Sequence, residues 1–315
     1  MNHLIDVHIR TRAHRAVIDQ YNGFTQLMVK CLCSSFKLIF NRRWHLSQEH
    51  IKRSSLGVTE QESRLLAQYA LEHLALTATQ SVKRALSYRK KSRRIIQGTT
   101  IKDRLDDLDT QSICLEGRSH LESALDSSRG LIVLSAHIGA WEELISLGTW
   151  IDRPVMVISK RMSNPVAQWF WDRSRREGPR RLDQGQRARA IINLLKQGGV
   201  IADVLDQHDP RSSALSISFL GRSAQTSGDL ARIAIASDAL IVPIFLLRGP
   251  MHDHNTSKFT LLIGQTIDHR SISHSQRDQV IREITQRCLQ QIESIIVRVP
   301  EQWMWLHRRW KSPPK

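Results

Sequence analysis

The chain has 315 residues, which is enough for one large α/β domain or for such a domain with a helical extension. Its hydrophobic content of 41% and charged content of 24% are ordinary for a globular protein and exclude a low-complexity chain. The formal net charge of +16 is not ordinary, and it indicates an anionic partner such as nucleic acid, an acidic membrane surface or an acidic carrier protein.

The cysteine pattern predicts neither a disulfide framework nor a metal site. The four cysteines are widely scattered, and the one close pair, Cys31 and Cys33, lacks the spacing of a zinc site. Such usage is typical of a reducing compartment. The first twenty residues are polar and rich in His and Arg, so we expect no secretory signal there and only loose docking.

Residues 1–95 are predicted to form a helical, membrane-proximal extension. A first helix is predicted over 21–44, and a capping box at Thr59–Glu62 predicts a second one that runs to about residue 90. The apolar stretch 24–40 is short for a membrane span and contains two lysines. It is therefore either an amphipathic helix packed on the domain or a helix lying in the membrane interface.

A strongly basic run follows the second helix. Seven of the twelve residues from 83 to 94 are basic, a density that favours an anion-binding face over a merely solvated helix end. Residues 95–110 are predicted to be a linker that contains Gly98 and several aspartates. We place the domain boundary at 95/96, with the second domain spanning 96–315.

From residue 111 onward the pattern predicts alternating strands and helices. Predicted strands lie at 112–115, 131–136, 154–159, 200–205, 215–219, 239–246 and 259–264. Predicted helices lie at 118–127, 140–150, 163–177, 186–197, 227–237 and 276–298. This alternation is typical of βαβ units, so we expect an α/β fold with a mainly parallel sheet flanked by helices.

One strand of this series ends at residues that can carry chemistry. The apolar run Leu131–Ala136 is followed by His137 and Gly139, and Glu142 lies in the first turn of the next predicted helix. His137 and Glu142 would lie about 140° apart within one helix, but at a strand-to-helix turn, which Gly139 would allow, they can meet. The carboxylate would then fix the imidazole tautomer and leave the other ring nitrogen as a general base. A capping or core histidine is the alternative interpretation.

The sequence HIGAWEE at 137–143 resembles a known family. Its His-x4-Glu spacing after a buried strand is similar to the signature of the lysophospholipid acyltransferase superfamily, in the form found in bacterial lipid A biosynthesis (lauroyl/myristoyl) acyltransferases. Four later stretches resemble the same family in the same order, and together the matches cover roughly residues 110–311. They are Ser159–Pro165 with Arg161, Leu194–Gly199 leading to Asp206 and Gln207, 219–245 with Thr226 and Gly228, and Pro300–Lys311.

The resemblance implies roles for three further residues. Arg161, in a loop beside His137, would bind a phosphate or help to hold the oxyanion, although a surface arginine at a helix start is the alternative. Backbone N–H groups of the turn around Gly139 would join it at the oxyanion. Asp206 would border the site and orient Arg161 or the acceptor, unless it merely caps a turn.

The terminal stretch Pro300–Lys311 combines three tryptophans with His307, Arg308 and Arg309. One interpretation is a helix docked on the sheet through pairs between arginines and carboxylates. The other is an anchor at the level of the lipid headgroups, where Trp and Arg are well accommodated.

The activity that the resemblance implies is O-acyl transfer at the cytoplasmic face of a bacterial inner membrane, by a peripheral or interfacially anchored protein. The donor would be a fatty acyl thioester of acyl carrier protein or coenzyme A, and the acceptor a hydroxyl of a lipid A precursor or related glycolipid. His137 would take the hydroxyl proton while Glu142 holds the ring, and the alkoxide would attack the thioester directly. We expect no metal and no cofactor beyond this co-substrate.

Several alternatives stay open on the sequence. Lipid A acyltransferases commonly begin with a spanning helix, which the stretch 24–40 does not convincingly supply, so another membrane lipid such as a phosphoglycolipid or amino-acid lipid is an alternative acceptor. A lipid-ester hydrolase with the same residue pair and an inactive scaffold are two more. The basic composition also suits a nucleic-acid-binding protein, although no helix-turn-helix, zinc finger or RNP motif is present.

Overall fold

The structure is a computed structural model that describes residues 7–86, 113–148, 151, 153–159, 162–175, 180–183, 188–249, 258–273 and 276–311. Several sequence predictions lie outside these residues: Arg161, most of the basic run 83–94, the linker 95–110 and the domain boundary at 95/96.

Four helices form the described amino-terminal part: α1 (Val7–Asp19), α2 (Gly23–Ile39), α3 (Asn41–Lys52) and α4 (Glu60–Leu86). The predicted capping box begins α4, since Glu62 accepts from the backbone N–H of Thr59 at 2.7 Å while the Thr59 hydroxyl accepts from the N–H of Glu62 at 3.3 Å. The expectation of loose docking before residue 20 is wrong for α1, which buries His14 and Val17. The predicted first helix is two helices, α2 and α3, that divide at Phe40.

A seven-stranded sheet carries the rest of the fold, in the order β1-β9-β8-β2-β5-β3-β4. Its strands are β1 (Ile113–Glu116), β2 (Leu131–Ser135), β3 (Val155–Ser159), β4 (Arg180–Asp183), β5 (Val200–Val204), β8 (Leu240–Arg248) and β9 (Phe259–Ile263). All neighbours pair in parallel except β8 and β9. The predicted mainly parallel α/β fold is therefore confirmed.

The predicted strand at 215–219 is confirmed, but two strands were not predicted. The stretch 215–219 forms β6 (Leu215–Phe219), which lies outside the main sheet and pairs with the unpredicted β7 (Arg222–Thr226) in a separate antiparallel hairpin. The other unpredicted strand is β4, which is rich in arginine and lies at the edge of the sheet. The alternating burial of β6 is typical of a strand with one solvated face, so its apolar residues did not require a place in the main sheet.

Helices cover both faces of the sheet. They are α5 (Arg118–Asp126), α6 (Trp141–Leu147), α7 (Pro165–Ser174), α8 (Ala188–Lys196), α9 (Asp229–Ser237) and α10 (Arg277–Arg298). The apolar stripe predicted for the last of these is buried at Ile284, Cys288 and Ile292. The central strand β8 is buried along all nine residues, as expected for a strand with helices on both sides.

Helix α2, which contains most of the stretch 24–40, packs on the protein with one face and exposes apolar residues on the other, while its position in a membrane interface stays a prediction. Val29 and Cys33 are buried, and the helix packs on α4. On the outer surface, Phe24 is 64% exposed, Leu27 58% and Leu38 85%. None of the helices in the described part of the chain is both long enough and apolar enough to span a membrane.

Candidate active site

The register of two parallel strands brings His137 and Asp206 together. Ser135 at the end of β2 pairs with Val204 at the end of β5, and each of the two side chains lies two residues farther along its chain. The Nδ1 atom of His137 lies 2.9 Å from Oδ1 of Asp206, and the backbone N–H of His137 donates to Oδ2 at 2.9 Å. The carboxylate therefore holds both the ring and the backbone of the same residue.

Asp206 is buried, and a third donor completes its surroundings: the indole N–H of Trp303, at 2.9 Å from Oδ2. Burial alone would raise the pKa of Asp206, but His137 and the Trp303 indole hold that pKa far below its usual value. Burial likewise disfavours the imidazolium, yet Asp206 outweighs it and the pKa of His137 is raised. An ionised Asp206 assigns the proton of the neutral ring to Nδ1 and leaves Nε2 as the basic nitrogen.

Nε2 of His137 faces Gln207, whose side-chain amide nitrogen lies 3.3 Å away. His137, Gln207 and Glu142 line a cavity of about 1130 Å³, slightly above the usual range for small-molecule sites. Its apolar lining comes from both hydrophobic clusters of the domain. The cluster beneath α5 and α6 supplies Leu121, Leu125, Val133, Leu144, Ile151, Val155, Ile244 and Leu261, and the other cluster supplies Ile191, Leu205 and Leu230.

Glu142 lies beside the site, but its hydrogen bonds differ from the predicted ones. Among the described residues no hydrogen bond joins it to His137. Its two carboxylate oxygens instead accept from Arg175, with Nε–Oε2 at 3.1 Å and Nη2–Oε1 at 3.0 Å. The indole N–H of Trp141 also donates to Glu142, at 3.1 Å. Glu142 is 3% exposed, so it is a buried partner of an arginine and not the hydrogen-bond partner of the imidazole. Its catalytic role stays a prediction.

Arg175, which the sequence analysis did not single out, follows α7 and lines the cavity. Its guanidinium stacks on the ring of Trp171, at 3.7 Å from the centroid. The buried Nη1 atom has no hydrogen-bond partner within the described part of the chain. Arg175 is close enough to His137 to lower the pKa of that ring, which opposes the effect of Asp206. The site thus contains a fixed cation with an unused donor.

Gly139 makes the turn that was predicted for it, at φ +61°, but the neighbouring N–H groups are not free for an oxyanion. The N–H groups of Ile138, Gly139 and Ala140 donate to the carbonyls of Ala136 at 2.8 Å, Gln302 at 3.0 Å and Leu246 at 2.7 Å. In this conformation the three donors are engaged within the protein, and their predicted use at an oxyanion stays a prediction.

The terminal stretch 300–311 matches neither of its two interpretations. After a single 3-10 turn at Pro300–Gln302 it is irregular, and Trp303 and Trp305 are 2% and 0% exposed, which excludes them as interfacial anchors. The fully buried Arg309 donates to the carbonyls of Gln207 and Gln225 and to the hydroxyl of Thr226, and not to a carboxylate. The stretch 300–311 therefore packs inside the protein, behind Asp206.

The described residues contain no group of three or more His, Cys, Asp or Glu side chains arranged to hold a metal ion.

Comparisons with known proteins identify the family of this chain. The model of the family "Bacterial lipid A biosynthesis acyltransferase" matches residues 86–312. The chain is similar to the lipid A biosynthesis palmitoleoyltransferase of Escherichia coli K12, with 23% identity over 201 residues, 64% of this chain and 62% of that protein. It is 25% identical over 204 residues to the lipid A biosynthesis lauroyltransferase of the same organism, which covers 63% of this chain and 62% of the relative.

The match therefore spans about three fifths of the length of these two relatives. A solved structure, the 1-acyl-sn-glycerophosphate acyltransferase of Thermotoga maritima, aligns with 86% of this chain and 97% of its own, at 13% identity and a TM-score of 0.35. Because the family model covers well over half of the 315 residues, the chain belongs to the bacterial lipid A biosynthesis acyltransferase family.

Proposed function

We propose that this protein transfers a fatty acyl chain from an acyl thioester, carried by acyl carrier protein or coenzyme A, to a hydroxyl of a lipid A precursor. The observation that carries the proposal is the pair of His137 and Asp206 at the border of a large, mostly apolar cavity. An oriented imidazole is a general base for a hydroxyl, and an apolar wall suits an acyl chain. Family membership supports the same activity.

In the proposed reaction Nε2 of His137 removes the proton of the acceptor hydroxyl as its oxygen attacks the thioester carbon. Asp206 stabilises the imidazolium that forms. The carbon–sulfur bond then breaks, and the imidazolium returns the proton to the departing thiolate. No acyl-enzyme intermediate and no cofactor other than the acyl thioester enter this scheme.

Negative charge develops on the carbonyl oxygen of the thioester during the attack, and the scheme assigns Arg175 to it. Because the backbone N–H groups around Gly139 are engaged, the unused Nη1 donor of Arg175 is the best-placed cation of the described residues. Glu142 would then act by fixing Arg175, and Arg161 would contribute to binding a phosphate of the acceptor.

The test supplies purified protein with lauroyl- and palmitoleoyl-thioesters of both carriers and with a lipid A precursor that has a free hydroxyl. Mass spectrometry should show one added acyl chain on the precursor, and the His137→Ala variant should lose this product. Lysophosphatidic acid and an amino-acid lipid serve as competing acceptors. Acylation of one of these alone would refute the proposed acceptor, and consumption of the thioester without any acylated lipid would indicate a hydrolase.

We further propose that the protein acts at the cytoplasmic face of the inner membrane as a peripheral protein. The exposed Phe24, Leu27 and Leu38 of α2 form the apolar component of such a contact. Lys83 lies 5.8 Å from the ring centroid of Phe24, and the net charge of +16 favours anionic lipids.

Flotation with vesicles that contain phosphatidylglycerol tests this attachment. A Phe24→Ser, Leu27→Ser variant should float less than the wild type. Val297→Ser is the matched control, because Val297 is an exposed apolar residue on α10. Equal flotation of the double variant and the wild type, or equal losses in the double variant and the control, would contradict attachment through α2.

A further inference from the structure

Arg248, the last residue of β8, is a buried arginine that the proposed reaction does not use. It is 2% exposed, and burial lowers its pKa although Tyr21 and Glu143 act in the opposite direction. No carboxylate of the described residues lies within ion-pair distance of it. Burying a guanidinium without a direct ion pair is unfavourable, and apolar residues of similar size are often the more stable choice in such a place. The hydrogen bonds of Arg248 are therefore the feature to be explained.

Those hydrogen bonds join helix α4 to the turn that carries the catalytic histidine. Nη1 donates to the carbonyl of Gly139. Nη2 donates to the hydroxyl of Thr77 at 2.7 Å and to the side-chain carbonyl of Gln80 at 2.9 Å, both on α4. A single side chain thus connects the amino-terminal helices with a residue two positions from His137.

The backbone of Arg248 is held in the same network. Its N–H donates to the Gln302 side chain, and its carbonyl accepts from that side chain, each at 2.9 Å. The Gln302 carbonyl in turn accepts from the N–H of Gly139, and the N–H of Met304 donates to the carbonyl of His137 at 3.0 Å. Both peptide groups of Gly139 are therefore fixed from β8 and from the terminal stretch.

We infer that Arg248 is a positioning residue for His137, and that Thr77 and Gln80 of α4 set its orientation. The inference rests on the proposed function in that His137 is taken as the base. Helix α4 then contributes to the site by holding Arg248, although the proposed reaction places none of its residues at the reacting atoms. An arginine suits this position because its guanidinium carries several N–H donors in a fixed arrangement, so that one side chain bonds to Gly139 and to α4 at the same time.

The chain offers a closely matched pair of variants. Thr77 and Thr79 lie on the same helix, each is 4% exposed, and each hydroxyl donates to the carbonyl four residues earlier, at 3.1 Å and 2.8 Å. Of the two, Thr77 is the one that accepts from Arg248. Thr77→Val and Thr79→Val therefore remove the same local hydrogen bond, and they differ in the contact with Arg248. Thr77→Ser restores the hydroxyl.

The readout that needs no substrate is the titration of His137, followed by NMR of 15N-histidine-labelled protein and assigned with a His137→Gln variant. We expect Thr77→Val and Arg248→Lys to change the pKa or the ring-nitrogen shifts of His137, and Thr79→Val and Thr77→Ser to leave them as in the wild type. An unchanged titration in both Thr77→Val and Arg248→Lys overturns the inference, as does an equal change in Thr79→Val. This comparison decides the inference even if no acyl transfer is detected.

In an acylation assay we expect Thr77→Val to lower kcat roughly ten-fold with little change in KM, because small displacements of a catalytic group cost up to about 100-fold. Thr77→Ser should recover most of the loss. A loss of equal size in Thr79→Val, or a loss in Thr77→Val that follows the fall in Tm, would assign the effect to stability and overturn the inference.

Discussion

At the scale of single residues, the orientation of His137 depends on a carboxylate 69 positions away in the chain. If Asp206 raises the pKa of the ring, its removal must lower that pKa. We therefore expect Asp206→Asn to move the acid limb of the pH profile of kcat/KM to lower pH, because the base then stays unprotonated further into the acid range. Turnover should fall by about 10²–10⁴-fold, since the charge that supports the imidazolium is gone. A profile unchanged in position would refute the pairing.

Glu142 acts, in the proposed scheme, through Arg175. Glu142→Gln should lower turnover in the wild type, but it should cause little further loss in an Arg175→Met protein, since Glu142 acts only through Arg175. The acid limb should move far less than in Asp206→Asn. Glu283→Gln is the control, because Glu283 lies on α10 and pairs with a different arginine, Arg287, at 2.8 Å. Additive losses would mean that Glu142 and Arg175 have separate tasks.

Gly139 lies where a side chain has no room. A Cβ atom there would come within 2.3 Å of the Leu246 carbonyl oxygen, at a positive φ. Gly198 also has a positive φ, but its nearest neighbour would be 3.5 Å away. We expect Gly198→Ala to cost about 1–2 kcal/mol of unfolding free energy from the left-handed backbone alone, and Gly139→Ala to cost about 1–3 kcal/mol more from the clash. Equal costs in urea unfolding would show that the turn adapts.

At the scale of elements, the stretch 300–311 supports the active site from behind. Trp303→Phe removes the indole donor to Asp206, while Trp305→Phe removes a comparable buried donor, which bonds to the carbonyl of Pro300 at 2.8 Å. Both variants should lose roughly 1–3 kcal/mol of stability. In Trp303→Phe alone, Asp206 should become more basic and hold the His137 proton more firmly, so the acid limb should move to higher pH. The same movement in Trp305→Phe would contradict this assignment.

The elements also show where sequence reasoning succeeds. Periodicity and capping identified β2, β5, α4 and α10, because each carries its own local signal of burial or termination. The contact between His137 and Asp206 has no such signal, since it depends on the register of β2 against β5. The one hint in the sequence is that His137 and Asp206 follow the ends of their strands at the same distance, and this equal spacing would have suggested the contact. The pairing of Glu142 with Arg175 depends on how α7 packs, which no spacing in the sequence encodes.

At the scale of the whole molecule, one buried acid links stability to pH. Glu301 is 1% exposed, and burial raises its pKa from 4.5 to about 7, although Arg10 of α1, 3.9 Å away, acts in the opposite direction. The unfolded chain loses this proton near its ordinary pKa, and the folded protein keeps it until about pH 7. The contribution of Glu301 to stability should therefore fall as pH rises through that window.

Glu301→Gln cannot ionise, so it should gain in Tm relative to the wild type between about pH 5 and pH 7. The difference should then stay constant at higher pH. Calorimetry across this range decides the point, and a difference in Tm that does not vary with pH would show that Glu301 ionises normally in the folded protein.

The position of the stretch 300–311 in the chain has a consequence for the synthesis of the protein. Synthesis proceeds from the amino terminus, so β2, β5 and α4 leave the ribosome before Gln302 and Trp303 do, and Asp206 and the turn at Gly139 gain these partners only afterwards. A nascent chain that stalls before residue 300 therefore carries His137 and Asp206 without the groups that hold them in place.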